Sequence, residues 1–175
     1  MSEIFVGLGS NQGDSRTILQ QGLARLAEVV PGKLARVSGL YRTGPVGYTQ
    51  QPDFLNAVAL FHGEPLPEQW LQRLLDVEAE LGRRRDGPRW GPRSLDLDLL
   101  AVDDRTLETA HLLLPHPRLS ERRFVLVPWA EIAPDFRLPD GERIRDLERA
   151  CPDEGRVELV EGSEWAAISP ENDQA

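Results

Sequence analysis

The stretch Ser94-Leu95-Asp96-Leu97-Asp98-Leu99-Leu100 alternates between leucine and polar side chains as far as Leu99. Successive side chains of a β-strand point to opposite faces of a sheet. The alternation therefore predicts a strand over 94–102, with Leu95, Leu97 and Leu99 on one face and the two aspartates on the other.

Three further strands and two helices are predicted in the chain before this stretch. The strands cover 4–9, about 33–41 and 54–62, and one helix covers about 15–29, with Asp14 as its cap. The other helix begins near Pro67. The order strand, helix, strand, strand, helix, strand predicts an α+β fold with a ferredoxin-like βαββαβ core, in which both helices pack on one side of an antiparallel sheet. One face of the second helix carries Leu71, Leu74, Leu75, Glu78 and Leu81.

Only short elements are predicted after residue 102. They are strands over 112–114 and 124–127, a hairpin over 136–142, and a short helix over 144–149. Residues 152–175 hold seven acids and one arginine, and their last residues have no apolar period. We therefore predict a single domain over 1–160 and an acidic, flexible tail over 161–175.

The charge of the chain argues against some classes of partner but leaves room for a small, local cationic site. The 175 residues include 29 acidic and 20 basic side chains, which gives a formal charge of −9. A broad basic surface for nucleic acid or for an anionic membrane is therefore not expected, and no apolar stretch reaches the ~20 residues of a membrane helix. The single cysteine, Cys151, fits a reducing compartment. We expect a cytoplasmic monomer without a nucleic-acid or membrane partner.

Asp96 and Asp98 form a candidate metal site. Their Cβ atoms should lie roughly 7 Å apart, which is two strand rises, so both carboxylates can converge on one cation or on two ions ~3.5–4 Å apart. Oxygen ligands favour Mg²⁺, which carboxylates commonly hold together with substrate phosphates. The alternative is a strand with a solvated acidic face.

A basic loop precedes this strand. Arginine forks beside paired carboxylates indicate a polyphosphate held between metal and guanidinium groups, and a solvated charged surface is the alternative. Trp90 in the same loop could stack on a planar ligand or could simply pack. The arginines of the loop are Arg83, Arg84, Arg85, Arg89 and Arg93.

Five other residues have both a structural and a functional interpretation. His116, between two prolines, is either a structural histidine or a hydrogen-bond donor to phosphate. Glu78 interrupts an apolar helix face, so it either forms a core salt bridge or binds a ribose hydroxyl. The Asn56 amide could read the edge of a heterocycle. Phe54 and Phe124 are core aromatics by the usual burial of such residues, or the walls of a ligand pocket.

Several motifs occur in order along residues 4 to about 150, and together they resemble the 6-hydroxymethyl-7,8-dihydropterin pyrophosphokinase family of folate biosynthesis. They are Gly9-Ser10-Asn11, Tyr41-Arg42-Thr43, Gln51-Pro52-Asp53-Phe54-Leu55-Asn56, Glu78, Arg89-Trp90-Gly91-Pro92-Arg93-Ser94-Leu95-Asp96-Leu97-Asp98, Pro115-His116-Pro117-Arg118 and Glu121-Arg122-Arg123-Phe124.

The resemblance implies transfer of the β,γ-diphosphate of ATP to the hydroxymethyl group of the pterin, with release of AMP and with two Mg²⁺ ions. Asp96 and Asp98 would ligate both ions, Glu78 would face the ribose, and Leu99 would lie by the adenine. Asp96 would also border the pterin. The phosphates would be contacted by Arg83, Arg85, Arg93, His116 and Arg122, with Arg84 as an alternative to Arg83 or Arg85. The pterin would lie between Phe54 and Phe124, with Thr43, Val46 and Asn56 at its edge and Trp90 closing over it.

The sequence departs from the family pattern at two positions. Phe54 lacks a hydroxyl that some members have, and Gly44 replaces a frequent proline. Two rival functions would account for part of this pattern. Another Mg²⁺-dependent nucleotide hydrolase or transferase would use the same aspartates, and a ferredoxin-like module could bind RNA on its sheet.

Overall fold

The computed structural model describes residues 1–44, 50–81 and 94–166. Two 3₁₀ turns, Leu119–Glu121 and Ser163–Ala166, supplement the regular elements. In chain order, the helices and strands are β1 (Ser2–Ser10), α1 (Ser15–Val29), β2 (Gly32–Val37), β3 (Leu40–Thr43), β4 (Phe54–Gly63), α2 (Pro67–Glu80), β5 (Asp96–Val102), β6 (Leu107–Glu108), β7 (Leu113–Leu114), α3 (Arg123–Ile132), α4 (Ile144–Ala150) and β8 (Val157–Glu161).

The main sheet is antiparallel, and its order is β5-β1-β4-β3-β8, with β2 also paired to β4. The four predicted strands therefore occur in the order fourth, first, third, second. That order, with two helices on one face, confirms the ferredoxin-like βαββαβ core. Among the described residues, no helix combines the length and the apolar character needed to span a bilayer.

The predicted second strand is two strands, which corrects the prediction over 33–41. The chain bends at Ser38, whose N–H donates to the Val58 carbonyl and whose Oγ accepts from the Val58 N–H, both at 2.9 Å. Gly39 follows, and a Cβ there would lie 2.6 Å from the carbonyl oxygen of Glu161. The bend therefore needs glycine, and it lets β3 pair with β8 as well as with β4.

Helix α1 begins where it was predicted to begin. The Asp14 carboxylate accepts a hydrogen bond from the Thr17 N–H at 3.2 Å, and this bond satisfies a backbone donor that the first turn leaves unpaired. The pKa of Asp14 is lowered, mainly by its side-chain hydrogen bond with Thr17. Leu19, Leu23 and Leu26 of this helix are fully buried against the sheet.

Helix α2 packs beside α1 on the same face, with a buried stripe that is rotated from the predicted one. Trp70, Leu74, Val77 and Glu78 are buried, whereas Leu71 and Leu75 are half-buried. The large indole of Trp70 packs on Phe61 of β4, with ring centroids 5.4 Å apart, and this contact orients the helix.

The predicted strand over 124–127 is wrong, because these residues belong to α3. Phe124-Val125-Leu126-Val127 is rich in aromatic and β-branched residues, which favour strands locally. The buried residues Val125, Leu126, Trp129 and Ile132 nevertheless follow helical spacing. They cover the second face of the sheet, where Trp129 packs on Phe5. Tertiary burial outweighs the local preference, and the C-terminal elements are more substantial than predicted.

The remaining short elements agree with the sequence. Residues 113–114 form β7, paired with β6. The turn around Asp140 closes through a bond from the Gly141 N–H to the Leu138 carbonyl at 2.8 Å, and Arg137 bridges to Arg143, as a hairpin requires. Helix α4 follows directly, as predicted.

The first residues of the predicted tail belong to the packed domain. Strand β8 ends at Glu161, and Trp165 in the next turn is fully buried. The Trp165 indole N–H donates to the Ser38 carbonyl at 2.7 Å, and the Trp165 carbonyl accepts from the Gln20 amide at 2.5 Å. The ordered domain therefore extends at least to 166. Residues 167–175 lie outside the described residues, so an acidic tail there stays a prediction.

Candidate active site

The two aspartates of β5 lie on the sheet face that α3 covers. Asp96 pairs with Gly9 of β1, Gly9 pairs with Asn56 of β4, and Asn56 pairs with Tyr41 of β3. Residues directly opposite each other across antiparallel strands share a face. Asp96 and Asn56 are therefore on the same face, two strands apart. The leucines 95, 97 and 99 are buried in the opposite core, against α1 and α2.

Glycine in β1 makes room between these two polar residues. A Cβ on Gly9 would lie 2.8 Å from the Asn56 Oδ1 atom, closer than real Cβ contacts. Glycine at this position of β1 therefore permits a close approach between the β1 backbone and the Asn56 side chain.

Asp98 faces the start of α3. Its Oδ2 atom lies 3.8 Å from Nη1 of Arg122, with the Asp98 side chain 38% exposed and the Arg122 side chain 18% exposed. The guanidinium also lies 5.8 Å from the centroid of the Phe124 ring. Arg122 is therefore between the carboxylate that was predicted to hold metal and a ring that was predicted to bound the pterin.

Glu78 has a backbone partner that neither interpretation of the sequence included. It is 2% exposed, and its Oε2 atom accepts a hydrogen bond from the backbone N–H of Leu97 at 2.9 Å. Leu97 lies between the two aspartates, so this buried carboxylate anchors α2 to the segment that carries them. Its predicted contact with a ribose stays a prediction.

His116 is held in a defined tautomer near this segment. The backbone N–H of His116 donates to the Leu100 carbonyl at 3.4 Å, and the ring Nδ1 accepts from the backbone N–H of Arg118 at 3.3 Å. An accepting Nδ1 leaves the proton of a neutral imidazole on Nε2. Burial, followed by the charges of Arg122 and Arg118, lowers the His116 pKa from 6.5 to about 4. The ring is therefore a neutral Nε2–H donor at neutral pH.

This pKa predicts a pH-dependent contribution to stability. Because the folded pKa lies below the unfolded value, the fold disfavours protonation, and stability is lost as the pH falls from 6.5 towards 4. Discounted for solvent, the loss between pH 7 and pH 5 is about 1 to 2 kcal/mol. Urea unfolding of the wild type and of His116→Gln at several pH values should show the variant losing less stability on acidification. If the free energy of unfolding fell equally with pH in both proteins, the prediction would be wrong.

A cavity of about 510 Å³ lies beside Asp98. Three residues that were predicted to contact ATP or its metal line it together, namely Asp98, Leu99 and His116. Leu71 and Leu97 form an apolar wall, and residues 108–113 of the β6–β7 region form the other side. The cavity thus combines an apolar part with a carboxylate and a neutral imidazole at one end.

A second set of predicted residues lies on the same sheet face, towards β3. The Asn56 amide donates to the Thr43 hydroxyl at 2.6 Å, and these two side chains are 8% and 3% exposed. Phe54 pairs with Thr43 and is half-buried. Phe124, at the start of α3, packs at the border of the core on this face. The structure therefore brings Thr43, Phe54, Asn56 and Phe124 to one side of the sheet.

Several predicted residues cannot be placed. Five predicted site residues lie outside the described residues, namely Val46, Arg83, Arg85, Trp90 and Arg93. Arg84 and the rest of the predicted basic loop lie outside them as well.

The two carboxylates of Asp96 and Asp98 fit a metal site that a substrate completes. Within 1–44, 50–81 and 94–166, no group of three or more histidine, cysteine or acidic side chains could hold a metal ion by itself. Mg²⁺ is commonly bound by one or two carboxylates while substrate phosphates and water complete its shell. Asp96 and Asp98 are both half-exposed, and they are neighbours on one face of β5, so they fit that arrangement.

Sequence reasoning missed two parts of the site. One is the β6–β7 wall of the cavity, including Thr109, His111 and Leu112, for which only the short distance to His116 along the chain could have served as a signal. The other is Glu131 of α3, which accepts from the Tyr41 hydroxyl at 2.5 Å and from the Gly39 N–H at 3.1 Å. Burial and Glu131 raise the Tyr41 pKa. No sequence pattern links residues so far apart.

Residues 5–134 match the sequence profile of a family described as 7,8-dihydro-6-hydroxymethylpterin-pyrophosphokinase (HPPK). The 2-amino-4-hydroxy-6-hydroxymethyldihydropteridine pyrophosphokinase of Pseudomonas aeruginosa is 40% identical over 163 residues, which cover 93% of this chain and 99% of the relative. A protein of the same name from Synechocystis sp. is 46% identical over 166 residues, with 94% and 78% covered. One from Methylorubrum extorquens is 42% identical over 161 residues, with 92% and 100% covered.

Solved structures with the same fold include Plasmodium falciparum HPPK-DHPS. The wild-type protein gives a TM-score of 0.64 at 14% identity, with 85% of this chain and 44% of that chain covered. The wild type with SDX-DHP gives 0.64 at 14% identity, with 85% and 43% covered. The chain thus spans less than half the length of these solved proteins, and at this identity the likeness concerns the fold alone.

Proposed function

Because the chain belongs to the 7,8-dihydro-6-hydroxymethylpterin-pyrophosphokinase family and is therefore a pyrophosphokinase of folate biosynthesis, we propose that its substrates meet at the aspartates of β5. It transfers the β,γ-diphosphate of ATP to 6-hydroxymethyl-7,8-dihydropterin and releases AMP and the pterin diphosphate. The observation that carries the proposed arrangement is the position of Asp98. It lines the cavity with Leu99 and His116, and it lies on the sheet face that carries Asn56.

The cavity is proposed as the nucleotide site. Leu99 and Leu71 offer an apolar surface to the adenine, and His116 offers its Nε2–H to a phosphate oxygen. A neutral donor suits this position, because it binds the phosphate without the cost of protonating a half-buried ring. Arg122 adds a fork-shaped cation beside Asp98. The ribose contact of Glu78 and the phosphate contacts of Arg83, Arg85 and Arg93 are part of the proposal.

The pterin is proposed to lie between Phe54 and Phe124. The Asn56 amide can accept and donate along the edge of the heterocycle, and the hydrogen bond to Thr43 fixes the orientation of that amide. Offset stacking on an aromatic ring contributes about 0.5 to 1.5 kcal/mol beyond burial. Val46 and Trp90 complete the proposed pocket, and Asp96 borders it.

Diphosphoryl transfer asks the protein for alignment and charge neutralisation more than for covalent chemistry. The pterin hydroxyl oxygen bonds to Pβ and loses its proton to solvent, the bond from Pβ to the oxygen shared with Pα breaks, and AMP leaves with that oxygen. Asp96 and Asp98 would hold two Mg²⁺ ions, which supply charge neutralisation and acidify the attacking hydroxyl. Glu78 keeps the backbone between the two aspartates in place.

The experiment that tests this function follows both products. Purified protein with ATP, Mg²⁺ and 6-hydroxymethyl-7,8-dihydropterin should form AMP and the pterin diphosphate in equal amounts. A 6-methyl pterin, which has no acceptor hydroxyl, is the matched control and should give no AMP. ADP or free phosphate, formed equally with either pterin, would identify the nucleotide hydrolase instead.

The RNA-binding alternative has no support in the structure. A module of that kind stacks bases on an open sheet face. Here α1 and α2 cover one face, and α3 covers much of the other. A monomeric state and a cytoplasmic location remain proposals.

A further inference from the structure

A short C-terminal segment, Asp153–Val157, contacts both sides of the proposed pterin pocket. It follows the family-matched residues 5–134 and leads into β8. The turn within it is fixed locally, because the Gly155 N–H donates to the Asp153 carboxylate at 2.8 Å. We refer to Asp153–Val157 as the C-terminal strap.

The strap is attached to the Phe54 side by two kinds of contact. The Arg156 guanidinium pairs with the carboxylate of Asp53, the residue directly before Phe54. Val157 then pairs with Thr43 of β3, and Thr43 pairs with Phe54 of β4. Displacement of the strap would therefore act on the start of β4 and on the end of β3.

The strap is attached to the Phe124 side through its backbone. Nη1 of Arg123 donates to the Gly155 carbonyl at 2.8 Å. Arg123 is the first residue of α3, and Phe124 is the second. The carbonyl that receives this bond belongs to the residue immediately before Arg156, so the two attachments are adjacent in the chain.

We propose that the C-terminal strap fixes the separation of Phe54 and Phe124, with Arg123 and Arg156 as positioning residues for the pterin substrate and not for ATP. This inference rests on the proposed pterin site. A small displacement of either ring is enough to weaken pterin binding, because a gap of about 0.5 to 1 Å already removes a quarter to a half of the dispersion attraction between stacked groups. An exposed ion pair adds little to stability, so its effect is expected in substrate binding.

Arg156→Ala tests the strap. The KM for 6-hydroxymethyl-7,8-dihydropterin should rise about three- to tenfold, which corresponds to the loss of one stacking contact. The KM for ATP and the thermal midpoint should stay at wild-type values. The charge swap Asp53→Arg with Arg156→Asp re-forms the pair and should bring the pterin KM back towards the wild-type value.

Arg16→Ala is the matched control. Arg16 of α1 makes two bonds of 2.8 and 2.9 Å to Glu161, at the far end of β8. It is the same type of pair, an arginine with a carboxylate, at the opposite end of β8 from Arg156. If β8 acted only as a structural edge, both arginine variants would change the kinetics alike. A wild-type pterin KM in Arg156→Ala, or an equal rise in Arg16→Ala, would overturn the inference.

Phe124→Ala separates this inference from the proposal beneath it. An unchanged pterin KM in Phe124→Ala would show that the pocket itself was assigned wrongly. A large rise of the pterin KM in Phe124→Ala, together with an unchanged pterin KM in Arg156→Ala, would overturn only the proposed role of the strap.

Discussion

Asp96→Asn and Asp98→Asn should each lower the rate of AMP formation by on the order of a thousandfold at saturating substrates. Asparagine keeps the shape and the hydrogen-bonding capacity of the side chain but removes the charge that binds a divalent cation. Both aspartates are half-exposed and lie opposite the leucine face of β5. The fold should therefore persist, with a thermal midpoint close to that of the wild type.

Asp104→Asn is the matched control for these variants. Asp104 is an exposed carboxylate just beyond the end of β5, so its loss should leave turnover at the wild-type level. The rate should be measured as AMP released per enzyme over a range of Mg²⁺ concentrations. Turnover within tenfold of wild type in either β5 variant would remove the aspartate pair as the metal site.

Trp165→Ala should lower the free energy of unfolding by about 3 to 5 kcal/mol, the cost of emptying a buried site of this size. The side chain is fully buried, and its removal also leaves the buried Ser38 carbonyl without its indole donor. The measurement is urea unfolding followed by circular dichroism at pH 7.

Two variants separate packing from other effects. Trp165→Phe keeps an aromatic ring but loses the N–H donor, and we expect a smaller loss of about 1 to 2 kcal/mol. Leu159→Ala, at a side chain on β8 that is 61% exposed, should change stability by less than about 0.5 kcal/mol. A cost below about 1 kcal/mol for Trp165→Ala would show that residues after β8 do not belong to the cooperative unit.

The sequence was informative where local pattern and burial agree. The alternation around Asp96 predicted the strand, the placement of both aspartates and the opposite leucine face. Helix α1 was predicted with its bounds, because Asp14 and a regular leucine spacing are local signals. The convergence of Asp98, Leu99 and His116 came from the family resemblance, since periodicity cannot relate a strand to a distant loop.

The parts that sequence reasoning could not supply depend on distant contacts. Phe124 to Val127 has strand-like composition, and only the sheet face beneath it makes it a helix. Glu78 was expected to need a polar side chain or a ligand, and the structure adds a backbone N–H as a partner, which no side-chain pattern marks. Trp165 is a single aromatic residue in a short segment without a regular apolar period, and its bonds reach Gln20 of α1 and the bend at Ser38, both far away in the chain.

The bend at Ser38 also constrains the order in which the domain can be completed during synthesis. Ser38 bonds Val58, 20 residues away, as soon as β4 is available. Its carbonyl receives the Trp165 indole from 127 residues away. Contacts of such separation form slowly, because a long loop must close before they stabilise anything. The N-terminal strands of a nascent chain can therefore pair early, whereas the edge of the sheet beside the proposed pterin pocket is sealed only after residue 165 has left the ribosome.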